Sequence, residues 1–144
     1  MTATTFRTDV ADGLLSVLNT FITANPDLLI RAYRARPSGF PDLPAAYIAD
    51  RSEDITHDSG TRTRTMSGLT FMVVDEITDN LETMARFDTL IDLLVDAITA
   101  APQLGTTGIW SRLTVSDEEV GFGDYVLKGV RFSFPDISIM EGRV

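Results

Sequence analysis

His57 is the only histidine in the chain, so any chemistry needing an imidazole must run through it. Asp54, Asp58 and Ser59 stand beside it and supply the residue types of a Ser-His-Asp relay. They lack the G-x-S-x-G setting that exposes a serine nucleophile. With one histidine and no cysteine, a two-histidine zinc site, an H-E-x-x-H motif and thiolate ligands are all ruled out. Carboxylates are plentiful, at 21 Asp and Glu, so chance proximity is expected and is no sign of paired acid-base catalysis. Asp50-Arg51-Ser52-Glu53-Asp54 lacks the alternating oxygen ligands and the glycine of an EF-hand loop. Asp117-Glu118-Glu119 fits a solvated acidic turn better than a divalent-ion site. Gly121-Phe122-Gly123 has neither the spacing nor the lysine of a phosphate loop, and suits turn geometry. No catalytic, cofactor-binding or metal-ligating residue is assigned, and the expectation is a protein that is not an enzyme.

The charge distribution carries more information. Residues 1–74 hold seven basic and eight acidic groups, whereas residues 75–124 hold two basic and eleven acidic ones. Nearly the whole net charge of -9 therefore sits around the second half of the chain. Asp88, Asp92 and Asp96 recur every fourth residue, which stacks them on one face of a helix at a cost of a few tenths of a kcal/mol per like-charged pair. A solvated face is the plain reading. The functional reading is an acidic surface, joined by Asp117, Glu118 and Glu119, that meets an arginine-rich partner. Arg31, Arg34, Arg36, Arg62 and Arg64 in the first half could supply that partner on a neighbouring copy. Opposite potentials across such a contact fix register and orientation.

The elements that must position these residues follow from periodicity. Val10, Leu14, Val17, Leu18, Phe21 and Ile22 recur at helical spacing, predicting a helix from Thr8 to Ala24 that Asn25-Pro26 ends. Leu28 to Arg36 and Ala45 to Ala49 read as strands around the turn-rich Pro37–Pro44. Thr61 to Asp75 reads as one long strand. In its second half Leu69, Phe71 and Val73 alternate with Thr70, Met72 and Val74, so both faces are apolar, as in a strand covered on each side. A second helix spans Asn80 to Ala101 behind a capping box at Asp79-x-x-Glu82. Trp110 to Val115 and Asp124 to Phe134 form a late hairpin around the acidic turn. The predicted architecture is α+β: a single domain over 1–144 with a mixed or antiparallel sheet of about five strands and two main helices packed on it. A flexible N-terminus (1–7), a polar arm or loop (51–60) with a brief strand at Glu53 to Thr56, and a tail or docking strand (137–144) complete it.

Composition narrows the partners. A chain of 144 residues, 44% of them hydrophobic, can form one core without disulfides or metal. A pI near 4.4 disfavours nucleic acid and anionic lipid, both of which need clustered cations. No apolar run approaches the roughly 18 residues of a membrane span. The opening MTATTFRTDVADG lacks the basic and apolar regions of a signal peptide, so a soluble product of the cytoplasm is expected.

The order of these pieces resembles a known family. The amphipathic helix at Val10–Ile22 leads to Pro37–Pro44 and Ala45-Ala46-Tyr47-Ile48. Arg62-Thr63-Arg64 precedes the strand Gly68–Val74, then come the helix Arg86–Leu94 and the hairpin from Trp110 to Phe134. This layout, over roughly residues 8–134, is similar to that of the tail terminator or tail completion proteins (minor tail, head-tail joining proteins) of long-tailed bacteriophages. The resemblance implies a structural virion protein without catalytic residues or cofactor. It implies a homo-oligomeric ring, typically a hexamer, that caps the tail tube and joins it to the head-proximal connector. Its partners would be itself, the tube protein and a connector or neck protein, with no sequence-specific nucleic acid and no membrane. It would reside in the virion, at the head-proximal end of the tail, after assembly in the host cytoplasm. Phage neck or head-closure proteins share this size and composition, and a generic non-catalytic binding module is the alternative outside phage assembly.

Overall fold

The computed structural model describes residues 6–58, 61–101, 103–105 and 108–143, with the backbone alone at 58, 61–64, 122, 125 and 138–143. Helix α1 spans Phe6–Ala24 and α2 spans Leu81–Thr99. The expected first helix begins two residues early because Phe6 is fully buried with Val10, Leu14 and Leu18. Residues 1–5 of the predicted flexible N-terminus lie outside the described residues. The cap of α2 differs from the expected capping box. Asn80, not Asp79, accepts from the amides of Glu82 (2.9 Å) and Thr83 (3.2 Å), because its side chain stands one residue nearer the first free donors.

The strands are β1 (Arg31–Tyr33), β2 (Ala45–Asp50), β3 (Glu53–Asp58), β4 (Thr61–Met66), β5 (Leu69–Glu76), β6 (Gln103–Leu104), β7 (Gly108–Trp110), β8 (Thr114–Phe122), β9 (Tyr125–Phe134) and β10 (Ile137–Arg143). They form two five-stranded sheets, ordered β1-β2-β5-β9-β8 and β3-β4-β10-β7-β6. The first is mixed, because β1 runs parallel to β2 while its other pairs are antiparallel. The α+β class, two helices and mixed five-stranded sheet match the expectation. The second sheet is additional. It arises where the predicted long strand Thr61–Asp75 breaks at Ser67-Gly68, sending polar β4 to the second sheet and apolar β5 to the first. The Ser67 amide there donates to the Ser52 carbonyl at 2.8 Å. Within the predicted polar arm 51–60, Glu53–Asp58 forms β3 at the edge of that sheet, while residues 59–60 lie outside the described residues; in the tail, β10 pairs with β4 and β7 as a docking strand.

Strand β5 lies at the centre of the first sheet, and its two apolar faces enter different cores. Leu69, Phe71 and Val73 join the helices and Phe132, Phe134, Met66 and Ile137. Met72 and Val74 join Ala45, Tyr47, Val120 and Leu127 on the other side, where Tyr33 of β1 and Phe40 and Leu43 of the proline-rich connection pack over them. Phe71, Phe132 and Phe134 are fully buried within the chain itself, so no neighbour is needed to cover them. Trp110 is a core anchor: its indole donates to the Ala101 carbonyl at 2.7 Å and sits edge-on to Phe134. The side chain of Tyr125 lies outside the described residues.

Candidate functional site

The acidic surface is built by one helix and one strand edge. Phe87, Leu90, Leu94 and Ile98 bury one stripe of α2, and this turns Asp88, Asp92 and Asp96 out to exposed positions. Asp96 lies in the last turn, against the negative end of the helix dipole, with no basic residue there to offset it. Asp117, Glu118 and Glu119 were expected in a turn. They lie instead within β8, which pairs with β9 from Thr114 to Phe122. The turn is Gly123-Asp124, opened by Gly123 at φ 62, a left-handed conformation that glycine adopts without steric cost.

Alternation along β8 then divides the carboxylates. Asp117 and Glu119 lie opposite Val130 and Lys128, on the side facing α2. A cleft of about 350 Å³ there joins Asp88, Asp92 and Asp117 with Ile91, Val115 and Val130. An adjoining hollow adds Glu119 and Lys128, the one lysine of the chain. Its ammonium lies 4.5 Å from the Phe87 ring centroid, a cation–π contact. Asp96 does not line this cleft. Glu118 faces the other way and receives the Arg131 guanidinium at 2.6 and 3.3 Å, while Arg131 also reaches Asp50 at 3.4 Å. The Arg131 hydrogen bond holds the Glu118 carboxyl below its ordinary pKa. The pair is half-exposed, so its net contribution is within about 1 kcal/mol. Nothing in the local sequence around Arg131 points to this cluster. The hairpin register makes Arg131 the diagonal neighbour of Glu118, which faces Gly129, and only the correct turn position reveals that.

The arginines are dispersed. Arg31, on edge strand β1, pairs with Asp42 at 3.7 Å and lies 5.7 Å from the Tyr33 ring centroid. Arg34 pairs with Asp12 of α1. Arg36 crosses the sheet and donates to the Gly121 carbonyl of β8, so it does not join the other two. Arg62 and Arg64 stand on β4, in register with His57 and Ile55; their side chains lie outside the described residues. The outcome is a sheet whose two terminal strands differ in charge, with Arg31 on β1, Arg34 just after it, and the carboxylates on β8. Exposed His57 lies on β3. Among the described residues no three His, Cys, Asp or Glu side chains gather as they would around a metal ion. No helix there is long and apolar enough to cross a membrane.

A solved chain from the virion of a native gene transfer agent particle has the same fold. The TM-score is 0.59 at 10% sequence identity, and the match covers 91% of this chain and 94% of that one. At that identity the likeness concerns the fold. No protein-family model matches the chain, and no curated protein sequence does either.

Among the described residues one carboxyl is buried. Asp75 on β5 is 7% exposed and accepts from the Glu76 amide at 2.9 Å. Burial pushes its carboxyl above the ordinary value, against that hydrogen bond and the nearby cations Lys128 and Arg86. A carboxyl raised in the folded state favours folding when protonated. Its contribution is thus fully present at acid pH and is lost as pH rises through the unfolded value toward the raised one. Asp75→Asn should therefore melt at a higher temperature than the parent at neutral pH. The difference should vanish below the carboxylate range, as calorimetry at the two pH values would show.

Proposed function

We infer that this chain is a structural virion protein with no catalytic role, folded as one domain. In this reading it is a tail terminator of a phage-like particle, assembling head-to-tail into a ring that caps the tail tube and meets the head-proximal connector. The observation carrying this reading is the fold likeness that spans nearly all of both chains, one of them a virion component. The opposed edges of the first sheet support it. A subunit with a basic edge and an acidic edge makes heterologous contacts, and these close into a ring when the rotation permits. The hexameric number comes from the family resemblance. Arg62 and Arg64 on β4 are proposed as further cationic contacts, and Asp96 as part of the outer acidic face. The partners are other copies, the tube protein and the connector, at the head-proximal end of the tail.

Electron microscopy of the protein mixed with tail tubes, polymerised from the tube protein of the same particle, tests the role. One ring on a tube end, with elongation halted, is expected. Bare tube ends beside rings bound only to the connector would assign the chain to the neck instead. Reversing Arg62 and Arg64 to Glu is expected to shift the oligomer to lower mass. An unchanged ring would remove those two residues from the interface.

A further inference from the structure

Strand β8 is nine residues long and forms one edge of the first sheet, and every residue from Thr114 to Glu119 is exposed. Such an edge presents a row of backbone donors and acceptors that can template another strand. The opposite edge is β1, flanked by exposed Ile30. Along the sheet β1 and β2 run together, β5 reverses, β9 reverses again, and β8 reverses once more. A β1 strand added to β8 in a continued sheet would therefore run antiparallel to it.

The side chains on the two edges complement each other. On the helix side, where Ala32 lies opposite the core residue Ala46, β1 presents Ala32, with Ile30 just before the strand and Arg34, paired to Asp12 of α1, just after it. On the same side β8 presents Val115, Asp117 and Glu119, with Ile30 43% and Val115 39% exposed. On the other side, Arg31 of one edge matches Glu118 of the other. The carboxylates keep two β8 edges apart by repulsion and admit an arginine-bearing edge. From these features we propose that β8 of one copy pairs with β1 of the next, so that the first sheets join into one continuous sheet around the assembly. The occupant of the β8 edge is a second copy of this chain. The proposal rests on the ring reading above and specifies its seam.

The absence of cysteine makes the seam testable by disulfide trapping in the full chain. Arg31→Cys is combined in turn with Ser116→Cys and Glu118→Cys, all exposed positions, and solution mass is measured on the same samples before oxidation. Mild oxidation is expected to give a ladder of covalent multimers on a non-reducing gel in at least one double variant. The single variants should give no rungs beyond a dimer. A ring of unchanged mass with no ladder from either pairing would overturn the seam and leave the assembly standing. A parent protein that is monomeric at every concentration would overturn both.

Discussion

Phe132→Ala is expected to lower stability by about 3–5 kcal/mol, the range for removing a buried phenylalanine. Phe132 is fully buried on β9 and stacks on Phe71 of β5, with centroids 4.5 Å apart and planes 12° from parallel. The two rings bind the central strand pair to the helix-side core, and Phe71 also meets Phe134 at 6.3 Å. A natural domain has about 5–15 kcal/mol in total, so the variant would be left marginal at physiological temperature. Urea unfolding would show a lower midpoint at an unchanged slope. Val126→Ala, exposed near the hairpin end of the same strand, should stay within about 0.5 kcal/mol. A Phe132→Ala loss as small as that of Val126→Ala would contradict the core described here.

Gly13→Ala is expected to destabilise although it lies within a helix. At an open helical site the change from glycine to alanine gains about 1 kcal/mol. Here the added methyl would land on the Gly105 amide nitrogen and lie 2.6 Å from the Leu104 carbonyl carbon. These are backbone atoms, so α1 must move off β6 or the loop must yield. Gly105 has little freedom to yield, since it holds φ 72 and packs against Asp9. Overpacking of this kind costs about 1–3 kcal/mol and can cost more, which outweighs the propensity gain and sets the sign. Gly39→Ala, where a methyl meets nothing within 4 Å, serves as the control and should be near neutral. Thermal melts of the two variants separate these effects. A Gly13→Ala protein as stable as its parent would mean that α1 does not seat against Leu104-Gly105 as described.

Periodic features were readable before the fold was known. The apolar stripe of α1, the doubly apolar run Leu69–Val74 and the exposed Asp88-Asp92-Asp96 row each follow from local spacing, and each lies where that spacing puts it. What depends on distant pairing was not readable. No local signal tells Ser67-Gly68 to divide one strand between two sheets; the partners that decide it, β10 and β9, lie about 70 residues away. Asp117-Glu118-Glu119 was misplaced because acid residues followed by glycines carry turn chemistry, while the β9 ladder holds them extended. The same ladder separates Glu118 from Asp117 and Glu119, so the acidic site divides between two sides of the sheet. The arginines were expected as one group, but their own carboxylates, Asp42 and Asp12, and the Gly121 carbonyl hold them at separate places. Exposed pairs of this strength, within about 1 kcal/mol, can exchange for a neighbour's carboxylates when a seam forms.

Assembly into a closed ring is read from solution mass. The unmodified protein, measured by light scattering or native mass spectrometry across a concentration series, should give a single closed species at an integer multiple of its 15.8 kDa chain, six copies by the family resemblance. High salt should weaken that species, because the proposed seams bring opposite charges together. A chain that stays at 15.8 kDa across the series would contradict the account.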